Sequence, residues 1–134
     1  MSGYLTSNQI WGITLFVDLA TDYTYVHLLR SLELHKNMGA KKAFEKLVSR
    51  SVNTVKIYHT DNRSYDENGF MASLNANNQT ITFCGVGAHH KNGIFERRIW
   101  TVTKISRTIP FYAQRYWPEC VDTMIWPFAV KADF

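Results

Sequence analysis

Trp11-Gly12-Ile13-Thr14-Leu15-Phe16-Val17-Asp18, Ala20-Thr21-Asp22 and Tyr23-Thr24-Tyr25-Val26-His27-Leu28-Leu29 read in order as strand, turn and strand. The outer segments are rich in β-branched and aromatic residues, which suit a pleated, mostly buried ribbon. The short polar tripeptide between them predicts antiparallel pairing. Arg30-Ser31-Leu32-Glu33-Leu34 continues as a candidate short third strand.

From Asn37 the period changes. Ala40, Ala43, Phe44, Leu47 and Val48 recur at helical spacing. Lys41, Lys42, Glu45 and Lys46 fall between them, and the expectation for that face is solvation. Thr54 to Thr60 reads as a strand, Asp61-Asn62-Arg63-Ser64 as a turn and Gly69 to Ala76 as a short helix. Gln79 to Cys84 reads as a further strand, and Gly85 to His90 as a loop with two glycines. Asn92 suits the N-cap of a helix carrying Glu96, with Ile99, Val102, Ile105 and Ile109 as its apolar stripe. Pro110 is expected to stop or kink that helix. A last helix is expected from about Pro118 to Lys131, with Pro118 in its first turn. Hairpin first, then alternating strands and helices, gives a mixed α/β sheet with helices packed on it.

The 134 residues fit one domain, with residues 1–10 as an N-terminal extension and 11–134 as the domain itself. A content of 46% hydrophobic and 19% charged residues supports a core and argues against wholesale disorder. The net charge of +4 favours an anionic partner without specifying one. No apolar stretch is long enough to span a bilayer, so no membrane partner is expected. The N-terminus lacks the basic start and apolar block of a secretory signal, and the chain reads as intracellular. Cys84 and Cys120 therefore read as free thiols, and two cysteines so spaced form no zinc motif.

Three acids stand where strands and a helix could bring them together. Asp18 and Asp61 each end an apolar run, and Glu96 sits near a helix start. Three converging carboxylates supply the oxygen ligands that hard divalent ions prefer. Two such ions about 3.5–4 Å apart activate an attacking oxygen and stabilise a leaving one in phosphoryl transfer. Taken singly, each acid has an ordinary role. Asp18 reads equally as a turn former, Asp61 as an Asx-turn residue and Glu96 as a first-turn acid complementing the helix dipole.

The local contexts add a resemblance. Val17-Asp18 followed by Asp22-Tyr23-Thr24-Tyr25-Val26 resembles the first catalytic strand and hairpin of retroelement integrases. His59-Thr60-Asp61-Asn62 resembles the second-aspartate motif. His89-His90-Lys91-Asn92-Gly93-Ile94-Phe95-Glu96-Arg97 resembles the loop and helix start before the catalytic glutamate. The 34 residues between Asp61 and Glu96 are close to the family's spacing. From about Trp11 to Trp126 the chain is similar to the integrase catalytic core of copia-type long-terminal-repeat retrotransposons.

That resemblance implies a ribonuclease H-like three-layer fold with a mixed five-stranded sheet flanked by helices. It implies magnesium or manganese dependence, DNA 3′-end processing and strand transfer. Element ends and target DNA would be the partners, a homo-oligomer the working form, and the nucleus or a cytoplasmic particle the location. Asp18 would bridge both ions, with Asp61 on one and Glu96 on the other. Two departures stand out. Arg63 occupies the place after Asp-Asn where the family has glycine, and no His-His-Cys-Cys set precedes Trp11. The expectation is a core without its accessory domains, a fragment or a degraded copy. A decayed core that only binds nucleic acid or protein is the alternative, and a cellular nuclease of the same general fold is a third reading.

Other residues are candidates in supporting roles. His59 shares a strand face with Asp61, so His59 and Asn62 could tune that carboxylate or serve structure alone. His89 and His90 read as polar loop residues. Lys91, Asn92, Arg97, Arg98, Lys104 and Arg107 form a cluster on or before the Glu96 helix that could contact DNA phosphates, or be a solvated helix face. Trp100, Trp117 and Trp126 read as core or partner-interface residues rather than base-stacking platforms.

Overall fold

The structure, a computed structural model, describes residues 10, 12–30, 35–60, 68–84, 93–121 and 125–133. It is mixed α/β, with β1 (Gly12–Val17), β2 (Thr24–Leu29), α1 (His35–Ser49), β3 (Ile57–Thr60), α2 (Asn68–Ala76), β4 (Thr80–Phe83), α3 (Gly93–Tyr116) and α4 (Trp126–Asp133). The described strands form two two-stranded sheets, β1–β2 antiparallel and β3–β4 parallel. The expectation of α/β mixing is met, whereas a single five-stranded sheet is not shown. The candidate strand over 30–34 lies, from Ser31 on, outside the described residues. Two compact units result. One comprises Met1–Leu32 and Ile94–Phe134, the other Glu33–Gly93.

The first unit is organised by the hairpin. Ile13 pairs with Leu28 and Leu15 with Val26, so strand alternation puts these four side chains on one face. Val102 of α3 and Val130 of α4 are buried with Val26, and Trp126 packs on the same cluster. Across the other face the Phe16 and Tyr25 rings lie 6.3 Å apart.

The helices of this unit depart from expectation in three ways. Of the apolar stripe on α3, only Val102 is buried, while Ile99 and Ile109 are exposed. Pro110 neither stops the helix nor marks its end, since α3 runs on to Tyr116. Proline forfeits one ladder hydrogen bond, at a cost of about 3 kcal/mol that the rest of the helix and its packing have to offset. The last helix begins at Trp126, so Pro127, not Pro118, occupies a first turn, where proline leaves no donor unpaired.

In the second unit β3 and β4 are joined through α2, the crossover that parallel pairing requires. Asn78 takes a left-handed φ of 53° just after α2, a conformation asparagine adopts readily. Ala40 and Phe44 of α1 and Phe70 and Leu74 of α2 are buried. Lys41 corrects the expectation of a solvated basic face, because its side chain is fully buried. Its ammonium ion-pairs with Glu45 at 2.8 Å and donates to Ser73 at 3.2 Å. Glu45 also accepts from the Tyr58 hydroxyl at 2.8 Å and from Gln79 at 2.6 Å. Burial raises the Glu45 pKa, but hydrogen bonds from Lys41, Gln79 and Tyr58 outweigh it and hold the carboxyl below its ordinary value.

Candidate active site

Asp18 leaves the end of β1 and opens the hairpin turn. Its N–H donates to the Tyr23 carbonyl and its carbonyl accepts from the Asp22 N–H, both at 2.8 Å. Asp22 closes the turn at a left-handed φ of 63°. The Asp18 carboxylate is held from within the same turn. Thr21 Oγ1 donates to Oδ2 at 2.5 Å and the Ala20 N–H to Oδ1 at 3.2 Å. The Thr21 hydroxyl and then the Ala20 amide hold its pKa below the ordinary aspartate value, so it is anionic at neutral pH. Each oxygen keeps further acceptor capacity, because an ionised carboxylate offers about four lone-pair sites.

Glu96 lies in the first turn of α3 and is exposed. Its helix is fastened to the hairpin two residues further on. The Arg98 guanidinium forms an ion pair with the Asp22 carboxylate and donates to the Asp22 carbonyl at 3.0 Å. One arginine thus joins the turn that Asp18 opens to the turn that holds Glu96. From the sequence, Arg98 belonged to a cluster that could contact phosphates or be a solvated face, and Asp22 had no site role. Their opposite charges were visible, but a separation of 76 residues carries no local signal that they meet.

The remaining candidates divide cleanly. Asp61, Asn62 and Arg63 lie outside the described residues, as do His89, His90, Lys91 and Asn92. Arg97, Lys104 and Arg107 are exposed on α3, and their spacing with Trp100 (i, i+3, i+7, i+10) places all four along one helical face. Lys104 Nζ sits 4.9 Å from the centre of the Trp100 ring, a cation–π distance. Arg107 also borders a groove of about 420 Å³ with Pro110, Phe111, Val121 and Trp126. Trp126 joins the core as expected, but Trp100 and Trp117 are each 63% exposed and are not core residues. Their spacing suited helix packing, but exposure leaves only the partner-interface half of that expectation.

His59, a candidate for tuning Asp61, is exposed on β3. Its Nδ1 lies 2.8 Å from Thr82 Oγ1 and its Nε2 3.1 Å from Cys84 Sγ. Sequence reading missed the partnership with Cys84, although both residues stood at the ends of expected strands. Among the described residues no group of three or more His, Cys, Asp or Glu side chains is gathered as a metal site. No described helix is long and apolar enough to cross a membrane. No protein-family model matches the chain, and no curated protein matches it either.

Proposed function

We propose that the chain is the catalytic core of an integrase-type polynucleotidyl transferase, ribonuclease H-like in fold, with Asp18, Asp61 and Glu96 as its acidic trio. The observation that carries this reading is the Arg98–Asp22 link, which fixes the helix start bearing Glu96 to the turn opened by Asp18. A second support is the exposed face of Arg97, Trp100, Lys104 and Arg107 on the same helix. Cations interleaved with an aromatic ring suit a nucleic-acid backbone and its bases.

The donor chemistry at Asp18 fits Mg²⁺ or Mn²⁺, since an anionic carboxylate with spare lone pairs is a hard oxygen ligand. Asp18, Asp61 and Glu96 would hold the ions. When bound, a metal pair activates the attacking oxygen and stabilises the leaving one. The chain's own contribution is to present Asp18 ionised through Thr21 and Ala20, and to carry phosphates along α3. The nucleophile would be water for 3′-end processing and a DNA 3′-hydroxyl for strand transfer.

Asp18→Asn, Asp61→Asn and Glu96→Gln are each expected to abolish Mg²⁺-dependent nicking of DNA while far-UV circular dichroism stays unchanged. Nicking by Asp61→Asn at the parent rate refutes the assignment. A second reading, a decayed core that binds nucleic acid without catalysis, is favoured by one feature. The Asp18 carboxylate already serves as a turn former through Thr21 and Ala20. A parent chain that binds DNA with steep salt dependence but never nicks it establishes that reading instead.

A further inference from the structure

Because β3 and β4 run parallel, their carboxyl ends emerge on the same edge of the sheet, the end where open α/β sheets take ligands. His59 lies one residue before the end of β3, and Cys84 directly follows β4. The Cys84 N–H donates to the Thr60 carbonyl at 2.9 Å, which extends the ladder by one step and fixes the cysteine beside β3. His59 pairs in register with Thr82, and Cys84, two residues on, returns to the same face.

One set of hydrogen-bond roles leaves Nε2 open. The Thr82 hydroxyl has one proton and donates it to the Tyr58 carbonyl at 3.3 Å. With that proton so placed, the Thr82 oxygen accepts from His59 and the Nδ1–H tautomer is the one that fits. Nε2 is left with its lone pair facing the sulfur at 3.1 Å. Histidines that ligate metal show this arrangement, with one nitrogen bonded outward to an anchored acceptor and the other open. His59 is exposed and Cys84 half-buried, so an ion can reach both.

We infer that His59 Nε2 and Cys84 Sγ form a two-ligand site for a thiophilic divalent cation of the zinc class, with water completing the shell. Tetrahedral zinc holds nitrogen at about 2.0–2.1 Å and sulfur at about 2.3 Å, which sets the two ligands about 3.5 Å apart. The present spacing has to open by only a few tenths of an ångström. The cation replaces the thiol proton, which leaves to solvent as the sulfur–metal bond forms. This nitrogen–sulfur pair selects soft ions, unlike the oxygen ligands proposed for phosphoryl transfer, and stands whether or not the chain nicks DNA.

Titration of the full chain with Co²⁺ under a non-thiol reductant tests the site. A thiolate-to-cobalt charge-transfer band is expected at one ion per chain. It should vanish in Cys84→Ser, persist in Cys120→Ser, and need roughly tenfold more cobalt in Thr82→Val, which releases the imidazole from its anchor. A band that survives Cys84→Ser, or that fails to form with the parent chain, overturns the proposal. Should Cys84→Ser lose its fold, imidazole ¹⁵N resonances of the parent titrated with Zn²⁺ decide. A shift at His59 Nε2 supports the site, and an unmoved Nε2 overturns it.

Discussion

The unit carrying Asp18 and Glu96 hides Val26, Val102 and Val130 against one face of a hairpin, and its cross-linking ion pair lies at the surface. The unit formed by residues 33–93 hides the ammonium of Lys41, whose partners Glu45, Ser73 and Tyr58 come from three different elements. Apolar burial is forgiving, since it scales with area and has no required direction. A buried charge is exacting, because losing one partner strands the other in a medium that cannot solvate it. The two units should therefore fail in different ways.

The largest effect is expected from Glu45→Ala. It leaves Lys41 buried without its carboxylate and should destabilise by about 3–5 kcal/mol, read from urea unfolding by circular dichroism. The double substitution Lys41→Met with Glu45→Gln should recover most of that loss, because no charge remains to be desolvated. The described tryptophans all belong to the first unit and residues 33–93 contain none, so tryptophan fluorescence should shift less than the backbone signal. Acid should mimic the substitution. Glu45 has its folded pKa below the unfolded one, so its contribution is complete above the ordinary glutamate range and is lost as pH falls through the folded value. Tyr58 acts in the opposite range. Burial and then the Glu45 hydrogen bond raise its pKa, so its contribution is complete below the ordinary tyrosine value and fades only above it. A Glu45→Ala chain as stable as the parent would show that the charge is not in fact confined.

Val102→Ala should cost about 2 kcal/mol, the transfer value of the two carbons removed plus a small cavity term. Here the fluorescence midpoint should move with the backbone midpoint. A shift confined to the tyrosine signal of the second unit would break the contrast between the units.

These differences mark how far the sequence could be read. The hairpin was legible because both segments are rich in β-branched and aromatic residues and flank the short polar tripeptide Ala20-Thr21-Asp22. The β3–α2–β4 unit was legible from its lengths and breakers, with no boundary shifted by more than three residues. Lys41 was not, because a helical period reports faces but not which lysine, beyond its own i+4 carboxylate, meets a tyrosine and a serine brought from other elements. Of the two outcomes expected at Pro110, the stop did not occur, because a local rule for ending helices ignores the turns on either side of it in the 24-residue α3. At the site, the acidity of Asp18 follows first from Thr21, three residues on in the same turn, a local signal. The Arg98 link has none, and only the folded chain reveals it.

The smallest expected stability effect belongs to that link. Asp22→Asn, Arg98→Gln and the double substitution form a cycle whose coupling energy should be about 0.2–1 kcal/mol and should shrink with added salt, as for exposed pairs. Its value to function would be of another kind. Arg98 also donates to a backbone carbonyl, so it sets the position of the α3 start as well as pairing a charge. If Glu96 and Asp18 work together, Arg98→Gln should depress Mg²⁺-dependent nicking far more than a loss of under about 1 kcal/mol in stability could explain. A nicking rate that merely follows the small change in folded fraction would separate the link from the chemistry. Such a result would leave the ion pair as a surface contact between a turn and a helix.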